Sequence, residues 1–124
     1  MNDKLSSQTP TVKSNWMDDD TLDFAVHLFG AFASPTRLRV VELLTDGEKT
    51  VGDIASVLCL SQSGASSHLA ILDRAGVVTA LRRGTAHYYR LRGPRIVTIL
   101  RLVSEFRSVH RDAIDNSTQF SPED

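Results

Sequence analysis

The sequence predicts a mainly α-helical fold with one small β-hairpin, and three observations lead to this prediction. Apolar residues recur at helical spacing through most of the chain, and the first four of these runs begin after Asp, Ser or Thr. Two of these helical segments are separated only by Cys59 and Leu60, so a tight turn must join them. After Gly76 the apolar period changes to two, which favours a pair of short strands over residues 77–91.

Length and composition restrict the class of protein. A chain of 124 residues with 41% hydrophobic residues forms one domain with terminal extensions and a small core. No apolar run approaches the roughly 18 residues that cross a bilayer, and the first residues lack the apolar segment of a secretory signal. Cys59 is the only cysteine, so no internal disulfide can form. These features predict a cytoplasmic protein with no membrane partner.

The charged side chains are distributed unevenly, although the formal net charge is only −1. Residues 1–60 carry five basic and nine acidic side chains, residues 61–111 carry nine and two, and residues 112–124 carry none and four. Local charge affects the binding of a polyanion more than the total does. The excess of positive charge in residues 61–111 is therefore compatible with nucleic-acid binding.

The first half of the chain predicts a polar arm and three helices. Residues 1–17 form the arm, and a helix follows over about residues 21–33, behind three aspartates that favour its N-terminus. Its apolar residues spread too widely for one side of a monomer, which indicates a partner chain. Ser34 and Pro35 begin the second helix, which Gly47 closes, and Thr50 begins a short third helix in which Asp53 resembles a capping-box residue.

The fourth helix is predicted between Ser61, as its N-cap, and Gly76, where the chain turns left-handed. Its inward stripe comprises Ala65, Leu69 and Leu72. The outward face carries short, mostly uncharged hydrogen-bonding groups, namely Gln62, Ser63, Ser66, Ser67 and His68. Such a face can enter the DNA major groove, where donors and acceptors distinguish the base pairs. The alternative is an ordinary solvated helix face.

The remaining residues predict a hairpin and a last helix. Strands over residues 77–81 and 86–91 are joined by a basic tip of Arg82, Arg83, Gly84 and Thr85. The tip suits a wing beside the fourth helix, or an edge hairpin that charge protects from pairing. The last helix is predicted over about residues 94–113; it is too apolar to lie alone on a surface. The domain therefore spans residues 18–113, before a polar tail over 114–124.

A helix-turn-helix followed by a hairpin is the order of a winged helix-turn-helix. Several segments resemble the ArsR/SmtB repressors, which are small dimeric bacterial regulators that leave DNA on binding a metal or another inducer. The matching segments are Ala33-Ser34-Pro35-Thr36-Arg37-Leu38-Arg39, Leu60-Ser61-Gln62-Ser63, Ser67-His68-Leu69, and Gly84 through Tyr88-Tyr89-Arg90-Leu91. The resemblance implies a homodimer built by the first and last helices and an inverted-repeat DNA operator.

The resemblance also implies which side chains meet DNA. Gln62, Ser63, Ser66 and Ser67 would face base edges, and His68 would lie at the phosphates or packed beneath them. Arg82 and Arg83 would hold the DNA backbone or enter the minor groove. Thr50 would offer its hydroxyl and its helix N-terminus to a phosphate. The alternative function is a winged-helix protein-interaction module that does not bind DNA. No phosphate loop, nucleophile motif or catalytic metal spacing indicates an enzyme.

The sensing sites of the family do not carry over, so the inducer and any cofactor are unknown. Thr50 and Gly52 stand where arsenic and cadmium sensors have their Cys-x-Cys pair. The positions of the zinc ligands are Gly93, Arg95, Phe106 and Val109, none of which binds zinc at neutral pH. Cys59 is a weak candidate for a redox sensor if its thiol is reactive. The simpler interpretation of Cys59 is a small side chain at the corner between two helices.

Overall fold

The computed structural model describes residues 16–111. The elements, in chain order, are α1 (Asp19–Phe32), α2 (Pro35–Leu44), β1 (Lys49–Thr50), α3 (Val51–Leu58), α4 (Gln62–Arg74), β2 (Val78–Arg83), β3 (Ala86–Leu91) and α5 (Arg95–Val109). The chain divides into two compact units, Met1–Leu91 and Arg92–Asp124. The predicted arm and tail lie almost wholly outside the described residues, and their boundaries stay predictions.

Side-chain caps begin the first four helices. Asp18 caps α1 through a 2.8 Å hydrogen bond from the Thr21 N–H, so this helix begins two residues before the predicted start. Hydrogen bonds from the side chain and the backbone of Thr21 lower the pKa of the Asp18 carboxyl below its ordinary value. Ser34, Thr50 and Ser61 cap α2, α3 and α4 in the same way. These three starts confirm the predicted N-caps.

The ends of α3 and α4 share one geometry, the Schellman motif. At the end of α4, Gly76 has φ +82° and the Val77 N–H donates to the Leu72 carbonyl at 2.9 Å. At the end of α3, Cys59 takes the left-handed position with φ 58°, and the Leu60 N–H donates to the Ala55 carbonyl at 2.9 Å. The two-residue turn between α3 and α4 is therefore this motif followed at once by the Ser61 cap.

The core of the first unit lies between α2, α3, α4 and the start of β2. Its most deeply buried side chains are Val40, Val41, Ile54, Ala65, Leu69, Leu72, Val77 and Val78. The inward stripe of α4 is as predicted. On α2 the buried arc runs through Val40, Val41 and Leu44, and Leu38 on the same helix is 36% exposed.

The sheet has three antiparallel strands in the order β1-β3-β2, whereas the sequence predicted only a two-stranded hairpin. The short strand β1 pairs with the outer edge of β3, with Thr50 opposite Tyr88. Arg82 and Arg83, predicted at the hairpin tip, lie in β2 opposite His87 and Ala86. The tip is therefore the pair Gly84–Thr85. Gly84 has φ +62° and Thr85 is not among the residues with positive φ, as a type II′ turn requires.

Helix α5, in the second unit, follows Gly93 and Pro94 and has no buried side chain. It exposes four large apolar side chains, Leu102, Val103, Phe106 and Val109. In the first unit, α1 exposes Phe24, Val26 and Phe29, although Leu28, Ala31 and Phe32 on the same helix are buried. Within residues 16–111, every helix falls short of the length and apolarity that a bilayer crossing requires.

Candidate nucleic-acid interface

Helix α4 separates its polar and apolar residues onto opposite faces. Gln62, Ser63, Ser66 and Ser67 are exposed, while the stripe of Ala65, Leu69 and Leu72 is buried. The exposed group offers hydroxyl and amide donors and acceptors without a formal charge. Because the buried stripe fixes the rotation of the helix, these side chains face outward together. Their contact with DNA stays a prediction.

The N-terminus of α4 is closed by a compact cap. The Ser61 Oγ accepts the Gly64 N–H at 2.9 Å and lies 3.4 Å from the Ser63 Oγ. A Cβ atom added at Gly64 would stand only 2.9 Å from the Ser61 Oγ. Glycine at this position thus leaves room for the cap, which in turn fixes the backbone beneath Gln62 and Ser63.

His68 does not share the exposure of the other predicted contact residues. It is half-buried, and its Nδ1 lies 3.3 Å from the Arg37 Nη1. A guanidinium can only donate, so His68 Nδ1 is the acceptor in this contact. This geometry favours the second of the two predicted places for His68, packed beneath the surface rather than at a phosphate.

Arg37 belongs to one of the segments that resemble the family, and the sequence predicted no role for it. In the structure its Nε donates to the Ala31 carbonyl at 2.7 Å and its Nη2 donates to the Gly30 carbonyl at 3.3 Å. One side chain of α2 therefore contacts both the end of α1 and the middle of α4. Sequence alone could not find this role, since the partners are two backbone carbonyls and a residue 31 positions away.

The two arginines of the hairpin each contact neighbouring side chains. Arg82 Nη2 lies 3.0 Å from His87 Nε2 on the paired strand. Arg83 forms an ion pair with Glu48, and its guanidinium carbon lies 5.6 Å from the centre of the Tyr88 ring. Glu48 precedes β1. Because β1 was not predicted, sequence reasoning could not place Glu48 beside the hairpin.

Thr50 and Cys59 occupy the two ends of α3. The Thr50 Oγ1 accepts the Asp53 N–H at 3.0 Å, so the hydroxyl that was predicted to meet a phosphate is already the cap of α3. Cys59 is an exposed free thiol in the left-handed position. Among residues 16–111, no three His, Cys, Asp or Glu side chains come close enough together to hold a metal ion.

Known proteins share this arrangement. The family described as "Bacterial regulatory protein, arsR family" matches residues 34–80. A helix-turn-helix transcriptional regulator of Methanocaldococcus jannaschii is 39% identical over 82 residues, which span 65% of this chain and 92% of the relative. The transcriptional repressor SdpR of Bacillus subtilis is 40% identical over 65 residues, or 52% of this chain and 72% of the repressor.

Solved structures agree with these relatives. The solution structure of a homodimeric winged helix-turn-helix DNA-binding domain from Mycobacterium bovis, a possible ArsR-family regulator, has a TM-score of 0.69 and 29% identity, and the match covers 82% of this chain and 91% of that one. HlyU from Vibrio cholerae has a TM-score of 0.64 and 32% identity over 72% of this chain and 97% of that one. The chain is a winged helix-turn-helix transcriptional regulator and belongs to the ArsR family.

Proposed function

We propose that this regulator represses transcription by binding an inverted-repeat operator as a homodimer and that an inducer releases it. The observation that carries the proposal is the capped helix α4, whose uncharged polar face lies opposite a fully buried stripe. Two such helices about 34–36 Å apart would enter successive major grooves of one duplex. Gln62, Ser63, Ser66 and Ser67 would contact base edges there.

The dimer is supported by the apolar side chains that α1 and α5 each expose. A single chain that kept such side chains in water would forgo the free energy of burying them, about 25 cal/mol for each Å². The similar domain from Mycobacterium bovis is a homodimer. We therefore assign the pairing of two protomers to these two helices.

The hairpin supports a second contact with DNA. Arg82 and Arg83 lie at the end of β2, next to the Gly84–Thr85 tip, and both side chains are exposed. Arginine in this place can hold phosphates or enter a narrow minor groove. A phosphate contact of this kind positions the protein without reading the base sequence. Thr50 supports a weaker contact, since its hydroxyl can still donate to a phosphate while it accepts the Asp53 N–H.

The test is a gel shift with the full chain and duplex DNA from the region upstream of its own gene, at two salt concentrations. Changing Gln62 to Ala should relax sequence preference by roughly 1–3 kcal/mol for the contacted base pair, because one bidentate contact is lost. Changing Arg83 to Ala should weaken binding to all sequences alike and reduce the salt slope by about 1.

Two outcomes would contradict the proposal. If the parent shows no preference for an inverted repeat over random DNA, the winged helix serves another purpose, such as protein interaction. If both variants bind like the parent at both salt concentrations, the contacts lie elsewhere.

Repeating the shift with zinc, nickel, manganese, arsenite, cadmium, peroxide and persulfide would identify the class of inducer. We also propose a cytoplasmic location, because the DNA to be regulated is there.

A further inference from the structure

Arg37 connects three helices through one planar group. It lies in the first turn of α2 and is half-buried. Its guanidinium contacts the carbonyls of Gly30 and Ala31 in the last turn of α1, and Nδ1 of His68 in α4. All three partners accept hydrogen bonds, and each is contacted by a different nitrogen of the guanidinium.

The two carbonyls explain why an arginine can bind here. The last carbonyls of a helix have no partner within the helix, and they form the negative end of its dipole. A positive group with several donors can bond to them and is attracted by the dipole. The Gly30 carbonyl also accepts the Ala33 N–H at 3.2 Å, so Arg37 supplies its second hydrogen bond. Arginine presents its donors in a fixed plane, so anchoring Nε and Nη2 on α1 determines where Nη1 lies. His68 is contacted at that position.

We propose that Arg37 is a positioning residue that holds the reading helix α4 at a fixed angle to the end of α1, and that it thereby fixes the spacing of the two half-sites that the dimer accepts. This inference rests on the proposed function, in which α1 helps to join the protomers and α4 reads DNA. Because the dimer is symmetric, a change in the angle between α1 and α4 occurs in both protomers. It therefore moves the two α4 helices farther apart or closer together. Half-site spacing is the property that such a movement alters first.

The experiment measures spacing preference rather than affinity alone. Duplexes with a random core are enriched on the full parent chain, and the enriched inverted repeat is then resynthesised with one base pair added or removed between its half-sites. The measured quantity is the ratio of affinities for the enriched and altered spacing.

Arg37→Lys keeps the charge but loses the planar fork, and Arg37→Ala removes both. Arg39→Lys and Arg39→Ala are matched controls, since Arg39 is an exposed arginine on the same helix that forms an ion pair with Glu42.

Both Arg37 variants should lower the spacing ratio by about 2- to 30-fold, the range that corresponds to a coupling of 0.5–2 kcal/mol. Affinity for random DNA and the salt slope should stay at the parent values, and both Arg39 variants should keep the parent ratio. Circular dichroism at the binding temperature establishes that each variant is folded; if Arg37→Ala is not, Arg37→Lys alone decides. If the Arg37 substitutions only lowered the free energy of unfolding, the spacing ratio measured on the folded variants would equal that of the parent.

Two results would overturn the inference while the proposed function stands. One is a parent that discriminates between spacings and Arg37 variants that discriminate equally well. The other is an Arg37→Ala variant whose salt slope falls by about 1 while Arg37→Lys keeps the spacing ratio, which would make Arg37 a direct phosphate contact. A parent that enriches no inverted repeat from the random pool would instead contradict the proposed function itself.

Discussion

At the scale of single residues, the ion pair between Arg83 and Glu48 has more consequence for binding than for stability. Arg83 is mostly exposed although Glu48 is half-buried, and an ion pair that water reaches in this way contributes about 0–1 kcal/mol to folding. The same guanidinium is the group that we expect to meet a phosphate. Glu48 therefore competes with DNA for the positive charge of Arg83. The ion pair is the contact that this arginine makes when no DNA is bound.

Changing Glu48 to Gln should strengthen binding to all DNA sequences, because Arg83 no longer has to leave an ion pair to meet its phosphate. The salt slope should stay at the parent value, since the same arginine neutralises the same phosphate in both proteins. Affinity measured at several salt concentrations tests this. Glu42→Gln is the matched control, since it also removes an acidic partner of an exposed arginine. Equal gains for both variants would assign the effect to net charge, and the gain from Glu48→Gln should vanish when Arg83 is also changed to Ala.

At the scale of elements, the helices were predictable where one side chain decides a boundary. Three helices begin after a residue whose short side chain carries a hydroxyl oxygen that can accept the N–H three residues ahead. These residues are Ser34, Thr50 and Ser61. Gly76 likewise indicated the end of α4. The end of α3 has the same hydrogen bonds, but Cys59 stands in the left-handed position, and a cysteine gives no such signal.

The strands were less predictable, because their limits depend on partners distant in the sequence. β1 has two residues, which is too few to show a period of two, and it exists because β3 offers a free edge. Arg82 and Arg83 looked like loop residues by composition, but β3 continues far enough to pair with both. The candidate site shows the same division. The face of α4 was predictable from its spacing, whereas the contacts of Arg37 and Glu48 were not.

The start of α4 provides a test of its cap. Replacing a helical glycine by alanine normally gains about 1 kcal/mol. At Gly64 the new Cβ would displace the Ser61 hydroxyl, and losing an N-cap costs about 1 kcal/mol. We therefore expect Gly64→Ala to be nearly neutral in the parent but stabilising by about 1 kcal/mol in a Ser61→Ala background, where no hydroxyl remains to displace. Denaturant unfolding of the parent, the two single variants and the double variant, all at one protomer concentration, measures the effect of Gly64→Ala in each background. Equal effects in the two backgrounds would contradict the steric explanation.

At the scale of the whole molecule, acidic and basic residues are separated along the chain. The excess of basic residues over 61–111 includes the wing arginines and those of α5, while residues 1–60 and 112–124 are acidic. A regulator with a net charge of −1 can therefore still present a positive surface to DNA. The same distribution makes binding sensitive to salt, since each neutralised phosphate releases counterions.

The apolar surface leads to a prediction about assembly. The full chain should have a mass of twice 13.7 kDa in solution at micromolar concentration, because α1 and α5 each expose large apolar side chains that a second copy can cover. Phe106→Arg should weaken the dimer by tenfold or more, since burying a Phe is worth about 1.5–3 kcal/mol and an unpaired charge would take its place. Val57→Arg is the matched control: Val57 is 60% exposed against 62% for Phe106, but it lies on α3. Sedimentation equilibrium measures all three masses. A parent that remains a single copy, or a Val57 variant that dissociates as readily as the Phe106 variant, would contradict an interface built on these helices.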